Sequence, residues 1–253
     1  MTRPHWQISW SAALFVMATV GARPAAAQSP SQPRVEISAN VGALTGASKF
    51  DEAESFPSNG GETARLTVNH GVKTVVGFSV GGAVRIVPSL WVGVQYAAAD
   101  TKPSASITAI VPHPLLFNAP RTVQGSTADV AHNEHNVHVD LLYALPLHAV
   151  DVKVMAGPTF FNLKQGFVSG VALNETYPFD TATFSSATTK RFSKSAVGFN
   201  AGVDVSRPLS SHVAAGALIC YSRADVRFDD RDVGKQTVKT GGVEVAAGVR
   251  VRF

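Results

Sequence analysis

The last eleven residues alternate strictly between two kinds of side chain, and this limits the possible fold more than any other feature of the chain. Apolar residues occupy every second position from Val243 to Phe253. Small or charged residues fill the positions between them, namely Glu244, Ala246, Gly248, Arg250 and Arg252. A period of two places successive side chains on opposite faces of a strand, whereas a helix has a period near 3.6. The segment is therefore predicted to be a β-strand with one apolar face.

Similar segments, rich in Val, Ala, Gly and aromatic residues, recur along the whole chain. Each shows the same alternation and is bounded by turn-forming residues, which together indicate a β-strand. Eight strands are predicted, at Arg34 to Ala47, Val72 to Val87, Leu90 to Asp100, Glu134 to Leu145, Asp151 to Gln165, Ser193 to Ser206, His212 to Phe228 and Lys239 to Phe253.

The connections between these strands alternate in length. Those after the second, fourth and sixth strands are tight and contain proline: Pro88 to Ser89, Pro146 to His148, and Pro208 to Ser210. The others are long, at roughly 48–71, 101–133, 166–192 and 229–238. Outer-membrane barrels have short periplasmic turns on one rim and long extracellular loops on the other. The pattern predicts an all-β fold, an eight-stranded antiparallel up-and-down transmembrane barrel.

The composition fits a barrel better than a helical membrane protein. Hydrophobic residues make up 45% of the chain and charged residues only 16%, with a mean hydropathy of +0.10. Yet the body of the chain has no uninterrupted apolar run long enough for a membrane-spanning helix, about 18 residues. The formal charge of +4 is not concentrated in any block of Lys and Arg, so nucleic acid is not an expected partner.

The N-terminus has the pattern of an export signal. Arg3 precedes an apolar stretch from Ile8 to Val20, and Ala25 to Ala27 supply small residues for cleavage. Residues 1–27 are therefore predicted to be a removed signal peptide, 28–33 a flexible lead and 34–253 the barrel. A buried N-terminal helix is the alternative interpretation.

The polar face of the predicted strands carries charges of both signs among small residues. Eight strands leave an interior only wide enough for side chains, and buried charges must pair. The predicted polar network of the lumen consists of Glu36, Arg85, Asp140, Asp204, Glu244, Arg250 and Arg252. Aromatic residues near strand ends are expected to form interfacial girdles: Trp91, Phe160, Tyr221 and Phe253.

These features resemble the small outer-membrane β-barrel superfamily, which includes the barrel of outer-membrane protein A and outer-membrane protein W. The resemblance is carried by the signal peptide, the strand count, the alternation of turns and the ending from Val249 to Phe253. It implies location in the bacterial outer membrane. In that superfamily a terminal Phe after alternating apolar residues is recognised by the barrel-assembly machinery, which implies an assembly signal at Val249, Val251 and Phe253.

Catalytic and metal-binding functions have weak support in the sequence. His132, His135 and His138 are candidate metal ligands, but an extended strand points His135 away from the other two. Nothing marks a catalytic triad, since His70 and His113 lie on different predicted loops. The protein is expected to be neither an enzyme nor dependent on a cofactor.

The favoured hypothesis is an integral outer-membrane barrel with a structural or surface-interaction role and a plugged lumen. Its expected partners are membrane lipid, the assembly machinery and an extracellular ligand bound by the long loops. Two of those loop segments, 107–111 and 115–117, are unusually apolar and are expected to extend as a hairpin or form an adhesive surface. The alternatives are a narrow passive channel or apolar-solute conduit, and a soluble periplasmic, lipocalin-like binding barrel.

Overall fold

Eight strands close into one antiparallel barrel in a computed structural model of the chain. The structure describes residues 33–45, 49–57, 61–71, 74–128, 130–147, 149–230 and 234–253, so the predicted signal peptide lies outside the described residues. In the order in which they are hydrogen-bonded around the barrel, the strands are β1 (Val35–Thr45), β12 (Gly234–Arg252), β11 (Val213–Asp230), β10 (Ala182–Pro208), β9 (Asp151–Glu175), β8 (His132–Pro146), β5 (Leu90–Thr101) and β4 (Val75–Val87). The predicted fold class is confirmed.

The first and last barrel strands form the seam that closes the sheet. Strand β1 pairs antiparallel with β12 from Glu36 opposite Arg252 to Thr45 opposite Val243. At the end of the seam, the carbonyl oxygen of Phe253 accepts hydrogen bonds from the backbone N–H groups of Arg34 and Val35, at 2.6 and 3.1 Å. A closed barrel leaves no strand edge unpaired. Every backbone polar group is then bonded within the sheet, as a lipid environment requires.

Four further strands follow regions that the sequence analysis treated as long loops. They form a separate sheet in the order β2 (Lys49–Pro57), β3 (Thr63–Gly71), β6 (Ala105–Val111) and β7 (Arg121–Thr127). Residues 107–111 do lie in a hairpin, because β6 and β7 pair from Ala105 opposite Thr127 to Val111 opposite Arg121, but this hairpin belongs to the separate sheet and does not extend the barrel strands. The prediction that 48–71 and 101–133 are loops is wrong.

The other two long connections are largely extensions of barrel strands. Strands β9 and β10 pair as far as Glu175 opposite Ala182, and β11 and β12 pair as far as Asp230 opposite Gly234. The predicted loop at 166–192 is thus mostly a hairpin whose turn occupies residues 176–181. The four hairpins together, at residues 49–71, 105–127, 163–192 and 226–238, are called the cap below.

Two apolar clusters hold the cap together. In the first, the sheet of β2, β3, β6 and β7 packs against the β9–β10 hairpin; its buried members include Leu66, Val68, Ile107 and Val168. In the second, the β9–β10 and β11–β12 hairpins pack together around Leu163, Phe167, Val226, Phe228 and Val238. The cap therefore has its own core.

Outside the barrel, apolar side chains are exposed on every strand. Strand β12 shows the rule: Val245 and Val249 point outward while Ala246 and Arg250 are buried inside. Trp91, predicted to belong to an interfacial girdle, lies buried in the lumen instead, because its neighbours Leu90 and Val92 take the outward positions of β5. Within the described ranges, no helix is long and apolar enough to cross a membrane.

Candidate functional site in the lumen and at the cap tip

The predicted network residues all belong to inward-facing positions of barrel strands. Each occupies the same strand face as the small residues Gly, Ala and Ser, because side chains alternate across a strand. Six of the seven are linked to other lumen side chains by hydrogen bonds, ion pairs or ring contacts: Glu36, Arg85, Asp204, Glu244, Arg250 and Arg252. The seventh, Asp140, is buried beside a lumen cavity.

At the rim with the tight turns, Glu36 joins two cations across the lumen. It accepts a hydrogen bond from Arg252 Nε at 2.9 Å and another from the ammonium group of Lys153. Arg252 also donates to Asp151 Oδ2 at 2.6 Å. Strands β1 and β9 lie diametrically opposite in the barrel order, so the bond between Glu36 and Lys153 spans the full width of the lumen.

The ring of Trp91 lies next to cations of the same layer. The Lys153 ammonium lies 4.6 Å from the centroid of the Trp91 ring, and the Arg85 guanidinium lies 5.6 Å from it. Cations within about 6 Å of an aromatic face are attracted by the ring quadrupole. The Trp91 side chain therefore fills space in the lumen and stabilises both cations.

Midway along the lumen, the fully buried Arg250 forms the second layer. Its Nε donates to Asp204 Oδ2 at 3.1 Å, and its Nη1 donates to Asn40 Oδ1 at 2.5 Å. Asn40 donates in turn to Ser79 Oγ at 3.2 Å, and Ser79 donates to Glu244 Oε1 at 3.1 Å. These bonds connect side chains from β10, β12, β1 and β4.

A third layer of bonded side chains crosses the lumen below the cap. Glu134 Oε2 accepts hydrogen bonds from Thr240 Oγ1 at 2.6 Å and from the backbone N–H of Gly241 at 3.3 Å, and its Oε1 accepts from Asn136 at 2.8 Å. Strands β8 and β12 also lie diametrically opposite, so this carboxylate crosses the lumen. The apolar cluster that contains Phe167 and Val238 lies on the cap side of this layer.

The space left between these layers is small. One cavity of about 20 Å³ is lined by Asn136, His138 and Glu244, and another of about 40 Å³ by Glu36, Asp140 and other inward residues. A water needs roughly 10–15 Å³ of such volume, so each cavity holds only a few waters. The lumen is tightly packed, and Glu36, Asp204, Arg250 and Arg252 form ion pairs within it, as buried charges require.

The three candidate metal ligands do not converge. His132 Nδ1 and Gln165 Oε1 are 2.6 Å apart, and His138 Nδ1 and Thr159 Oγ1 are 2.8 Å apart, both inside the lumen. His135 points outward, where its Nδ1 lies 2.5 Å from Tyr96 Oη. In the part of the chain that the structure describes, no group of three or more His, Cys, Asp or Glu residues is placed to hold a metal ion.

The residues of the predicted assembly signal lie along β12 and at its end. Val249 and Phe253 have exposed outward side chains, and Val251 is half-buried. Phe253 lies on the rim with the tight turns, where its backbone bonds to the start of β1.

At the opposite end of the molecule, two turns of the cap are fastened together by one buried arginine. Arg121 donates to Phe179 O and to Pro112 O, both at 2.9 Å, and forms an ion pair with Glu175 at 2.7 Å. A groove of about 250 Å³ lies beside this arginine. Backbone atoms of the β6–β7 turn and of the β9–β10 turn are thereby fixed relative to each other.

His113 orders the β6–β7 turn from within. Its Nδ1 accepts hydrogen bonds from the backbone N–H groups of Leu115 and Leu116, at 3.1 and 3.0 Å. The exposed apolar side chains of these two turns are called the cap tip below: Leu115, Leu116, Phe117 and Tyr177.

Sequence reasoning missed three of the residues that organise these sites. Lys153 could have been found from the alternation of side chains along β9, because it lies on the same buried strand face as Met155 and Thr159. The role of Glu134 was not predicted, and its bond to Thr240 joins positions 106 residues apart. Arg121 has no local sequence signal, since its partners lie in turns that only the fold brings together.

Comparison with known proteins agrees with this architecture. A family model described as "Outer membrane protein beta-barrel domain" matches residues 12–253. No curated protein matches the chain in sequence.

Two solved structures are similar to this chain. The chain resembles the outer membrane protease OmpT from Escherichia coli, with 8% identity over 87% of this chain and 97% of that one, and a TM-score of 0.50. It is also similar to Neisserial surface protein A, with 14% identity over 87% and 97% of the two chains and a TM-score of 0.43. Such low identities bear on the fold and not on activity.

The closed barrel, its outward apolar faces and the family match, which covers more than nine-tenths of the sequence, lead to one assignment. The chain belongs to the outer membrane protein β-barrel domain family and is a protein of the bacterial outer membrane.

Proposed function

We propose that this protein is a non-conducting anchor that presents the cap, and above all the cap tip, at the cell surface for interaction with an apolar partner. The observation that carries the proposal is the pair of exposed apolar turns held in place by the buried Arg121. No catalytic step is part of it. In the same proposal the barrel is inserted by the assembly machinery, through Val249, Val251 and Phe253.

Three cross-lumen layers support the non-conducting part of the proposal. A solute would have to break the bonds of Glu36, Arg250 and Glu134 in succession and then displace the apolar core of the cap. Each charged group separated from its partner in a low-dielectric interior costs several kcal/mol, on the order of 3–5. Passage of small solutes is therefore disfavoured at every level.

The geometry of the cap tip supports the interaction part. Surface apolar residues scattered singly are ordinary, but a contiguous group on a protruding element is typical of interaction sites. Here the turns are fixed by His113 and Arg121, so little conformational entropy is lost when a partner binds. The rim with the tight turns faces the periplasm by the usual topology of such barrels, which places the cap outside the cell.

An adhesion assay on intact cells tests this function. Cells that display the protein should adhere to alkyl-coated glass more strongly than to hydroxyl-coated glass. The double substitution Leu115→Ser/Leu116→Ser should abolish most of the difference, because it removes two side chains that are 64% and 56% exposed.

The matched control changes the same residue type at the other rim. Leu147→Ser/Leu209→Ser alters side chains that are 57% and 68% exposed in the tight turns. These cells should adhere like the unmodified ones. If both double variants adhere normally, or both lose adhesion equally at equal surface levels, the cap tip is not the interaction surface.

A further inference from the structure

The β6–β7 turn is held by a side chain rather than by its own backbone. Residues 112–120 include three prolines, which have no backbone N–H group to donate. Among the described residues, no backbone group of this turn bonds to another backbone group. The positions of Leu115 and Leu116 therefore depend on the hydrogen bonds that their N–H groups donate to His113 Nδ1, at 3.1 and 3.0 Å.

These two hydrogen bonds require that His113 Nδ1 carries no proton. A neutral imidazole has one N–H donor and one acceptor nitrogen, whereas a protonated imidazole has two donors and no acceptor. Because Nδ1 accepts both bonds, the single proton of the neutral ring lies on Nε2. A second proton on the ring removes its acceptor nitrogen, and no rotation of the ring restores one.

The charged groups around the ring do not replace these bonds. Asp180, in the β9–β10 turn, has its Oδ1 3.7 Å from Nε2, but its side chain is 70% exposed, and exposed ion pairs contribute little. Arg121 on β7 lines the same groove and repels an imidazolium, although its ion pair with Glu175 on β9 offsets that charge. Glu62, just before β3, accepts from the N–H of Asn118 further along the turn. The main consequence of protonation is therefore the loss of the two hydrogen bonds.

The apolar side chains of the cap tip depend on the same turn. Leu115, Leu116 and Phe117 are exposed and lie within four residues of His113. If the turn is released, a partner has to order this backbone again when it binds, which costs conformational entropy. Arg121 still fastens the start of the turn through Pro112 O, so the release is confined to the residues after His113.

We propose that His113 is a proton-operated switch of the cap tip: the neutral ring orders the turn for binding of the apolar partner, and the protonated ring releases the turn and the partner. The partner rests on the proposed function, whereas the release of the turn follows from the hydrogen bonds alone. Histidine side chains change charge between about pH 5 and 8. The turn is therefore ordered above this range, and its order is lost as the pH falls through it.

Hydrogen exchange in the folded full-length protein in detergent micelles tests the release of the turn. The exchange rates of the Leu115 and Leu116 amides are measured at pH 8 and pH 5, each relative to an unstructured peptide of the same sequence at the same pH. Protection of these amides should fall roughly tenfold or more at pH 5, since the loss of two net hydrogen bonds corresponds to a factor of this order.

Substitutions at position 113 separate the acceptor from the proton. His113→Asn keeps an acceptor oxygen for the N–H groups two and three residues later but does not titrate, so the turn should be protected at both pH values. His113→Ala removes the acceptor, and the turn should be unprotected at both. His212→Asn changes an exposed histidine on the rim with the tight turns and should respond to pH like the unmodified protein. Heat-modifiable gel mobility verifies that each variant is folded.

Adhesion of intact cells to alkyl-coated glass tests the release of the partner. Cells that display the unmodified protein should adhere several-fold less at pH 5 than at pH 8. Cells that display His113→Asn should adhere equally at both. If cells adhere at neither pH, the proposed function fails, while the exchange measurement still decides whether the turn is switched.

The proposal is wrong if the Leu115 and Leu116 amides are equally protected at pH 8 and pH 5, or if protection falls as much in His113→Asn as in the unmodified protein. Full protection in His113→Ala would show that the imidazole does not hold the turn. Cap-tip adhesion that is equal at the two pH values, despite a released turn, would show that the turn does not control binding of the partner.

Discussion

At the scale of single residues, the lumen depends on cations whose partners are distant in sequence. Arg250 is fully buried and contacts Asp204 from β10 and Asn40 from β1. The alternation of side chains along β12 is enough to place Arg250 in the interior, and buried charges must be paired there. The alternation does not identify the partner, because any inward carboxylate of similar height would satisfy the same rule. Only the register between strands makes Asp204 the partner.

Substitution of Arg250 tests this pairing. Arg250→Met should lower the free energy of unfolding by about 3–5 kcal/mol, because it leaves the Asp204 carboxylate buried without its cation. Urea titration of the protein in detergent micelles or lipid vesicles measures the change. Arg250→Met/Asp204→Asn removes both charges and should be more stable than the single variant. A single variant as stable as the unmodified protein would show that the pair contributes nothing.

At the scale of strands, the sequence predicts correctly those segments in which apolar and polar side chains alternate most strictly. The barrel segment of β12 alternates without exception and was placed correctly. The alternation does not reveal strand β2, because a charged residue, Glu52, occupies a buried position; Glu52 Oε2 lies 3.0 Å from Nε2 of His70 on β3. The cap segment of β10 is rich in Ser and Thr, and its pairing with β9 relies on backbone hydrogen bonds that leave no apolar pattern.

The register of β12 predicts where a charge is tolerated. Ala247 is exposed on the outward face between Val245 and Val249, so Ala247→Arg should cost roughly 2–4 kcal/mol near the bilayer midplane. Thr237→Arg places the same residue on the same face of the same strand in the cap and should cost little. The yield of folded protein in the outer membrane measures both. Normal assembly of Ala247→Arg would mean that this face does not contact lipid.

The side chain of Phe253 permits a separate test of the assembly signal. Phe253→Ser keeps the backbone bonds that close the seam and removes a side chain that is 63% exposed. We expect normal refolding into lipid vesicles but reduced insertion in cells, because in the proposed assembly role the machinery recognises the ring. Leu209→Ser, at 68% exposure on the same rim, is the control and should insert normally. Equal insertion of the two variants in cells would contradict the assembly role.

At the scale of the whole molecule, the barrel and the cap have complementary interiors. The barrel lumen is bridged by ion pairs beside one apolar cluster around Trp91 and Leu142, whereas the cap is filled by two apolar clusters. The barrel was predictable because it repeats one local pattern eight times. The cap was not, because its core forms only when four hairpins that are far apart in sequence pack together.

The sealed lumen is the central claim, and planar-bilayer recording of the purified, folded protein tests it most directly. With Glu36, Arg250 and Glu134 each bonded across the interior, the protein should give little conductance, or only small and intermittent events. A porin recorded in the same membranes verifies that open pores are detected. Large, stable conductance steps from the folded protein would contradict the account and favour a channel.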